Sequence, residues 1–494
     1  MNLNAFLKDA KTVTVAGTQW GDEAKGKFVD LFAGWAKIII RGTGGANAGH
    51  TIIVGGTEHI FHLIPSGILY DALGKINVIG SGVALDPQVV LQELALLRKA
   101  GMSYNHMAIS DRAKLVMPQH ILIDRIRETK QGKIGTTRRG IGPTYVDHYD
   151  RIGITLNDLR NPDVLADKLK LNLEPKVRYL RSFNSYGLQD IMLEAHLGAF
   201  YKSGKIFDQD AIIAQYRQYG VELKDLIRDT DQIVAEHVGR DRILLEGAQG
   251  FLLGIDSGTY PHVTSSDTSV AGLARGAGLD PRMVDLAFGV TKAPFMSRVG
   301  DGAFPTEMGR RESEELCGAE GYNREVELQK GGVLSVNDPD PLRQGIAIRQ
   351  AGGEYGSTTG RARRMGWLDL VLLRQAIRHN GPNLILTKLD VLDECKEIKI
   401  CNDYRYIGPN YHLGDQELQF GQLLHNVAPD SYVLRHVEPV YYEFPGWQCC
   451  LRDLKESSRL PSPLRNIIIF IGQQAGARIR AISVGPDREQ TIIL

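Results

Sequence analysis

The sequence predicts an α/β fold in which a large, mostly parallel central sheet is flanked by helices. Two observations predict this fold: short apolar runs recur along the chain, and amphipathic segments with helix start and stop signals lie between them. The composition agrees, because 43% hydrophobic and 23% charged residues are typical of globular proteins. We expect one large α/β nucleotide-binding domain over residues 1–494, with a helical excursion at about 157–240 and a variable insertion or surface flap at about 309–356.

The predicted strands are short and apolar on both faces, as strands covered by helices should be. They span residues 12–16, 38–40, 78–79, 115–116, 243–245, 286–290, 384–386 and 482–484. Helical spacing of apolar residues predicts helices over 85–100, 120–130 and 367–378. The first of these helices has Asp86 before a proline as its start signal and Gly101 as its stop signal.

The charge balance and the cysteines exclude several classes of protein. Lys and Arg together number 58, as do Asp and Glu, and a net charge of zero argues against non-specific binding to nucleic acid or membrane. Five cysteines without metal-ligand spacing predict neither a disulfide framework nor a zinc site. No apolar run approaches the roughly 18 residues of a membrane span, and the N-terminus lacks a signal-peptide core. We expect a cytoplasmic enzyme.

A glycine-containing loop follows the first predicted strand, where a phosphate-binding turn belongs. Residues 21–27 satisfy the pattern G-x-x-x-x-G-K, and the loop amides with Lys25 and Lys27 would meet a polyphosphate. Phe28 replaces the Ser or Thr that holds Mg²⁺ in a Walker A loop. Asp22 is therefore the candidate metal ligand, since a carboxylate beside phosphates is repulsive without a cation or a reacting proton.

The loop after the second predicted strand, GTGGANAGHT, is built from small residues. Its glycines let the backbone approach a ligand closely, and Asn47 and His50 are its strong polar side chains. In parallel sheets, ligands bind at the carboxyl ends of the strands. We therefore interpret Asn47 and His50 as site residues rather than packing residues.

A guanine-reading element is predicted at residues 387–390, with the sequence TKLD. The Asp390 carboxylate would accept from N1–H and the 2-amino group of guanine, which adenine does not offer, and the stem of Lys388 would stack along the ring. The segment SVGP at 483–486 ends another strand and would close the base pocket. TKLD alone is short, so a solvated charge pair is the competing interpretation.

Two loops rich in threonine and arginine complete the candidate site, at residues 135–143 and 356–364. Arginine binds phosphates and carboxylates bidentately. Because the net charge is zero, small anionic substrates are a better interpretation than a wide nucleic-acid surface.

Ten motifs together resemble the adenylosuccinate synthetase family, from about Thr12 to the C-terminus. They are, in order, WGDEAKGK, GGANAGHT, HLIPSG, TTRRGIGPTY, EGAQG, GTYPHVTSSDT, RVGDGAFPTE, STTGRARRMGW, TKLDVLD and SVGPDR. In that family, GTP phosphorylates the 6-oxygen of IMP and L-aspartate then displaces the phosphate. The resemblance implies a GTP-dependent, Mg²⁺-requiring ligase of purine biosynthesis that forms a homodimer.

The resemblance also implies residue roles. Asp22 would be the general base and, with the carbonyl of Gly49, a Mg²⁺ ligand; His50 would be the general acid, and Gln249 would lie near the 6-oxygen. The implied GTP contacts are Gly21, Asp22, Glu23, Lys25, Gly26, Lys27, Gly49, His50, Thr51, Arg363, Lys388, Leu389, Asp390, Ser483, Val484 and Gly485. The implied IMP contacts are Asp22, Lys25, Asn47, His50, Thr137, Arg151, Gln249, Thr264 and Arg361. The implied aspartate contacts are Val299, Ser357, Thr358, Thr359, Arg361 and Arg363.

Arg151 resembles the arginine that reaches the IMP phosphate in the neighbouring subunit. Three positions depart from the family pattern: Ala24 and Arg138 stand where glycine is usual, and Ala362 stands where arginine is usual. If residue 24 needs a positive φ, the loop is strained by about 1–2 kcal/mol.

Three alternatives follow from these residues. A related ligase could use a 2-amino purine nucleotide such as dGMP, but such enzymes carry a smaller residue at the position of Asp22. A regulatory paralogue could bind guanine nucleotides without turnover. A switch GTPase would hydrolyse GTP whether or not IMP is present.

Overall fold

The computed structural model describes residues 3–54, 57–130, 134–182, 187–356 and 360–494. Within these residues, ten strands form one central sheet, and every neighbouring pair is parallel except the last. In spatial order the strands are Ile227–Arg228, Met107–Ser110, Ile76–Ile79, Ile38–Arg41, Ile243–Gly250, Thr12–Gly17, Leu286–Lys292, Asn383–Thr387, Arg478–Ser483 and Thr491–Ile493. The predicted fold class is confirmed.

The central strands are apolar because both faces of the sheet are covered. Thr12–Gly17 is buried at every position. In Ile38–Arg41, two strands away, Ile39 packs on the face that carries Phe28 and Phe32, whereas Ile38 and Ile40 pack on the opposite face with Ala274. Successive side chains of a strand point to opposite faces, so one short isoleucine run supplies two cores.

Helices surround the sheet in the described residues. The α-helices are Leu3–Leu7, Lys25–Ala33, Pro87–Lys99, Pro118–Lys130, Ile141–Tyr149, Pro162–Arg181, Leu188–Glu194, Gln209–Leu223, Thr230–His237, Val270–Gly276, Arg310–Gly318, Arg324–Gly331, Pro341–Gly352, Leu370–Asn380, Ser431–Arg435 and Ser462–Ala475. The 3₁₀ turns are Ser66–Leu73, Leu156–Arg160, Gly198–Phe200, Phe251–Leu253, Pro281–Met283, Leu389–Leu392 and Ser457–Arg459. A search of the described helices finds none with both the length and the apolar character needed to cross a bilayer.

Smaller sheets carry the connecting loops. One contains Phe295–Arg298, Arg364–Asp369, Glu397–Tyr406, Leu423–Leu424 and Val437–Pro445. A second contains Gly44–Gly45, Val83–Leu85 and Lys114–Leu115. Three hairpins pair His50–Val54 with Thr57–Phe61, Tyr201–Lys202 with Ile206–Phe207, and Tyr411–Leu413 with Gln416–Leu418.

Most predicted elements are confirmed within a few residues, and two need correction. The strand predicted at 115–116 is Lys114–Leu115 and belongs to a small sheet, not the central one. The helix predicted from residue 367 begins only at Leu370, because Arg364–Asp369 is a strand paired with Phe295–Arg298. The side chain of Asp369 accepts from the Leu372 amide and caps that helix.

The two polar segments contain more structure than their composition suggests. Between 157 and 240, helices and a hairpin precede Ile227–Arg228, which returns to the central sheet as an edge strand. The 309–356 segment contains three helices and a buried ion pair between Arg349 and Glu327. The expectation of a flap there is replaced by a packed helical segment, since the charged residues pair with one another inside it.

Candidate functional site

The predicted phosphate loop joins the central strand Thr12–Gly17 to the helix Lys25–Ala33. Ala24 stands at the start of this helix with φ 63° and ψ 34°, and no side chain caps the first turn. The first amide N–H groups of a helix point along its axis, out of the N-terminus, and carry a partial positive charge, so this N-terminus suits an anion. Gly21 also has a positive φ, and its Cα faces the side chain of Val299.

The buried Glu23 side chain stabilises the phosphate loop by hydrogen bonds to the loop's own backbone. Its Oε1 accepts from the amides of Gln19, at 3.1 Å, and Gly21, at 2.9 Å, while its Oε2 pairs with Lys25 Nζ at 2.6 Å. The Thr387 hydroxyl donates to the carbonyl of Glu23 and ties the loop to the TKLD segment. Glu23 is fully buried, so its side chain shapes the loop rather than facing its open side.

Lys27 is placed differently from the sequence prediction. Its ammonium donates to Ser483 Oγ at 2.7 Å, Gly485 O at 2.8 Å and Gln490 O at 3.0 Å. Burial lowers the pKa of Lys27 to about 7. All three N–H donors are used on protein acceptors, so Lys27 holds the SVGP segment beside the phosphate loop instead of presenting a free cation to phosphate.

Asp22 lies on the open side of the loop and meets the second arginine-rich segment. Arg363 Nε donates to Asp22 Oδ2 at 2.7 Å, and 38% of the Asp22 side chain remains exposed. Burial raises the pKa of Asp22, but the charges of Arg363 and Lys292 outweigh it and hold the pKa below its usual value. The carboxylate is therefore ionised near neutrality and open to a ligand.

His50 is held by a buried carboxylate. Its Nδ1 forms a short contact with Glu246 Oε1, and Glu246 also accepts from the amide of Ser66 at 2.7 Å and its hydroxyl at 2.8 Å. The other ring nitrogen, Nε2, is buried and has no hydrogen-bond partner in the described structure. A buried ring nitrogen without a hydrogen-bond partner, on a ring whose orientation is fixed, is typical of a ligand-binding group.

The charges around His50 set its ionisation. Burial lowers the pKa of His50 below its usual value, although Glu246 raises it. Burial raises the pKa of Glu246, but His50 and Arg41 together hold it low, so the carboxylate stays ionised. An anion arriving at Nε2 would favour the protonated ring.

The predicted IMP residues Asn47, Gln249 and Thr264 are brought together. Gln249 Nε2 donates to Asn47 Oδ1 at 3.0 Å, and Asn47 Nδ2 donates to Thr264 Oγ1 at 3.4 Å. Gln249 has φ 52° and a buried Oε1 without a partner in the described structure. These amides form a polar patch with an unused acceptor. Gly49 lies beside it, half-buried, between Asn47 and His50.

Thr137 and Arg151, two other predicted IMP contacts, are exposed. Thr137 belongs to the first arginine-rich loop, where Arg138 has φ 58°. Arg151 has φ 63° and follows the helix Ile141–Tyr149.

The aspartate-binding prediction is only partly within the described residues. Ser357, Thr358 and Thr359 lie outside them, and the side chain of Thr51 is likewise not described. Arg361 donates to the carbonyl of Cys317 at 2.8 Å and pairs with Asp301 at 3.2 Å.

Ala362 packs against Cys317 and Tyr322 from the 309–356 segment. It is 3% exposed, so a long arginine side chain has no room in this packing. The departure from the family pattern at residue 362 therefore has a packing reason.

The TKLD segment is fixed by the end of the 309–356 segment. Lys388, with φ 62°, donates to Gly352 O at 2.7 Å and lies 3.4 Å from Glu354 Oε1. The other oxygen of Glu354 forms a short contact with the fully buried Lys292, which also donates to Ser297 at 2.6 Å. Leu389 and Val484 are fully buried core residues, so their side chains do not face a ligand.

Asp390 lines a cavity of about 660 Å³. Its carboxylate is 7% exposed and pairs with Arg452, whose side chain is 56% exposed. On the other side of the segment, Ser483 donates to Gly485 O at 2.9 Å and accepts from Lys27. A purine base fits a cavity of this size, since small-molecule sites typically enclose about 300–1,000 Å³.

Sequence reasoning missed four residues that organise the site: Glu246, Glu354, Lys292 and Arg452. A signal existed for Glu246, because a single carboxylate interrupts the apolar run of Ile243–Gly250. Lys292 likewise ends the apolar strand Leu286–Lys292 as a buried charge. Glu354 and Arg452 lie in polar loops, where no pattern distinguishes them from solvated residues.

Comparison with known proteins gives a consistent result. The profile of the adenylosuccinate synthetase family matches residues 14–492. The chain is 38% identical to the adenylosuccinate synthetase of Clostridium beijerinckii over 97% of this chain and 98% of that protein. It is 39% identical to that of Halothermothrix orenii over 97% of each. The solved structure of fully ligated adenylosuccinate synthetase from Plasmodium falciparum aligns with a TM-score of 0.78 at 30% identity, covering 98% of this chain and all of that one.

Proposed function

The chain belongs to the adenylosuccinate synthetase family, and we propose that the residues described above divide the family's reaction among them. The enzyme is a GTP-dependent ligase that joins IMP and L-aspartate. The relatives do not favour the 2-amino purine alternative. The observation that carries the assignment is the presence in one site of an ionised, accessible Asp22 and a buried His50 whose Nε2 has no hydrogen-bond partner among the described residues.

In the proposed first step, the Asp22 carboxylate takes the proton from N1 of IMP. The electrons of the N1–H bond then move toward the 6-oxygen, which attacks the γ-phosphorus of GTP and releases GDP. Support comes from the lowered pKa of Asp22, which keeps the carboxylate in the ionised form that a base needs; loss of the Arg363 contact would make it more basic. Arg363 must release Asp22 for this step and is then available to anionic oxygens of the substrates.

His50 is the proposed donor to the transferring phosphoryl group. Glu246 holds Nδ1, so Nε2 is the nitrogen that remains for the phosphoryl oxygens. A positioned donor of this kind is worth about 10²–10³ in rate. The helix N-terminus after the loop and Lys25 are the proposed phosphate cradle.

Mg²⁺ is the proposed cofactor, with Asp22 and the Gly49 carbonyl as its protein ligands. Among the described residues no cluster of three or more His, Cys, Asp or Glu side chains forms a metal cage. One carboxylate, from Asp22, and one carbonyl, from Gly49, fit Mg²⁺, which is commonly bound by one or two carboxylates plus substrate phosphates and water. Bound there, the ion would neutralise charge on the phosphates.

In the proposed second step, the amine of L-aspartate attacks C6 and the 6-oxygen leaves with the phosphoryl group as inorganic phosphate. Arg361 and Arg363 would bind the aspartate carboxylates, with Val299 and residues 357–359 beside them. Support comes from the position of Arg361, which bridges Asp301 and the 309–356 segment near Asp22 and Arg363.

The remaining proposals concern assembly and compartment. A homodimer is proposed in which Arg151 reaches the IMP phosphate of the neighbouring site; its exposure at the end of a helix supports this. The cytoplasm is the proposed compartment, since all five cysteines are free thiols.

The test is the absorbance change of the purine with IMP, aspartate, GTP and Mg²⁺, leaving out each component in turn. We expect a signal that needs all four and that ATP cannot restore in place of GTP. Asp22→Ala should abolish the signal, because it removes the base and a metal ligand together. Asp280→Ala, at an exposed aspartate paired with Arg282, is the control. Substantial turnover by Asp22→Ala would refute both roles of Asp22.

A further inference from the structure

Arg452 covers the carboxylate that is proposed to read guanine. Its Nε and Nη2 each lie 3.3 Å from Asp390 Oδ2. Both residues line the cavity of about 660 Å³, and Arg452 is exposed on its rim. Arg452 belongs to none of the ten motifs quoted above.

Guanine and Arg452 compete for the same atoms. Guanine presents two parallel donors, N1–H and the 2-amino group, and a carboxylate meets them with both of its oxygens. The guanidinium of Arg452 already occupies Oδ2 with two of its own donors. Asp390 is 7% exposed, so little of the carboxylate is left for a base while the pair is closed.

We propose that Arg452 is a specificity-determining residue that competes with guanine for Asp390, so that GTP binds only by displacing it. The inference rests on the proposed guanine pocket. The displaced arginine has an open path, because its side chain is already 56% exposed on the cavity rim. The pair thus keeps Asp390 neutralised in the free enzyme and lowers the affinity for GTP by the free energy of one ion pair.

The expected effect is modest and specific. An ion pair with one exposed partner is worth about 0.2–1 kcal/mol, which corresponds to about a 1.5- to 5-fold change in affinity. Arg452→Ala should therefore lower KM for GTP by about that factor, with KM for IMP and aspartate unchanged. Added salt weakens a pair with one exposed partner, so the ratio between wild type and variant should decrease as the salt concentration is raised.

Two further variants make the experiment decisive. Lys455→Ala removes another exposed cation, three residues away, that donates to the Glu489 carbonyl rather than to Asp390. It measures the long-range effect of losing one positive charge, and KM for GTP should rise slightly or stay the same. Asp390→Asn tests the pocket itself: KM for GTP should rise and a xanthine nucleotide, whose 2-oxo group an amide can meet, should become a better substrate.

The outcomes separate the two hypotheses. If Asp390→Asn leaves KM for GTP unchanged, the guanine pocket lies elsewhere and the proposed function loses that assignment. If Asp390→Asn raises KM but Arg452→Ala raises it too, or leaves it equal to that of Lys455→Ala, the competition is refuted while the pocket stands. A salt-independent decrease in Arg452→Ala would also overturn the ion-pair account.

Discussion

Four residues of the site adopt the left-handed backbone conformation, which residues other than glycine rarely adopt. Asp22, Ala24, Gln249 and Lys388 have φ between 52° and 63°. Each such residue costs about 1–3 kcal/mol and persists only where neighbouring contacts enforce it. The contacts here are the Asp22–Arg363 pair, the Gln249–Asn47 amide bond and the bond from Lys388 to Gly352. The positive φ that predicts strain at Ala24 is present.

Glu246 is the residue whose removal should test the state of His50. Its charge raises the pKa of His50 against the effect of burial, and its contact orients the ring. Glu246→Gln keeps the shape but removes the charge, so we expect kcat to fall about 10- to 100-fold. Because the pKa of His50 should drop, activity that needs protonated His50 should disappear at a lower pH than in the wild type.

A pH–rate profile checks this prediction. The alkaline limb of kcat should shift to lower pH in Glu246→Gln, while His50→Asn should lose the limb together with most of the rate. A uniform decrease at every pH, with the limb in place, would show that Glu246 only supports the fold. Binding of GTP, measured separately, should survive in both variants.

At the scale of single elements, the helix Leu370–Asn380 carries an unusual cap. Asp369 caps its first turn, is fully buried and forms a short hydrogen bond with the Tyr404 hydroxyl. Burial raises the pKa of Asp369 to about 6, above the usual 3.8. The folded state therefore binds this proton more tightly than the unfolded state, and stability falls as pH rises from about 4 to about 6.

Asp369→Asn should stabilise the protein at neutral and alkaline pH, because asparagine also caps helices and never carries the buried charge. A shift of about two pKa units corresponds to about 3 kcal/mol, an upper figure for the gain near pH 8. Near pH 5 the gain should shrink by roughly half, since wild-type Asp369 is then mostly protonated when folded.

Unfolding in urea at the two pH values measures the difference. Asp229→Asn is the matched control, since Asp229 caps the helix Thr230–His237 through the Gln232 amide but is exposed. It should change stability by the same small amount at both pH values. A gain in Asp369→Asn that does not depend on pH would contradict the cause assigned to it.

The sequence predicted elements well where one local pattern decided them. The predicted strands 38–40 and 384–386 are continuous apolar runs, 12–16 is a short run rich in β-branched residues, and all three belong to the central sheet. The edge strand Ile227–Arg228 has two paired residues, too few for any periodic signal. Residues 367–369 were misassigned because their apolar spacing continues that of the helix, whereas pairing with Phe295–Arg298 makes them a strand.

The candidate site residues could be named from the sequence to the extent that they stand in motifs. The structure brings Asn47, Gln249 and Thr264 together and pairs Asp22 with Arg363, while their ligand contacts stay predictions. The sequence could not predict which atoms the charged side chains of Lys27 and Glu354 contact. Lys27 donates to three carbonyl or hydroxyl oxygens, and Glu354 lies between Lys292 and Lys388 and pairs with both. Such pairings depend on three-dimensional neighbours that are distant in sequence, from tens of residues for Glu354 to hundreds for Lys27.

At the scale of the whole molecule, the sheet gathers distant segments at one edge. The loops after Thr12–Gly17, Ile38–Arg41, Asn383–Thr387 and Arg478–Ser483 all leave the carboxyl ends of parallel strands. Arg151 does not belong to these loops; it is exposed and follows the helix Ile141–Tyr149. If the site needs it, a second copy of the chain must supply it.

Mixing two inactive variants tests that assembly. Asp22→Ala and Arg151→Ala each break every site of their own homodimer, but a hybrid dimer has one broken site and one site with both residues intact. Random exchange at equal amounts makes half of the dimers hybrids, so we expect activity to recover to about a quarter of wild type. The mixture should regain activity at the rate of subunit exchange, as measured by the absorbance assay over time. If the mixture stays inactive although exchange is shown by mass, or if Arg151→Ala alone is fully active, Arg151 does not act in the neighbouring site.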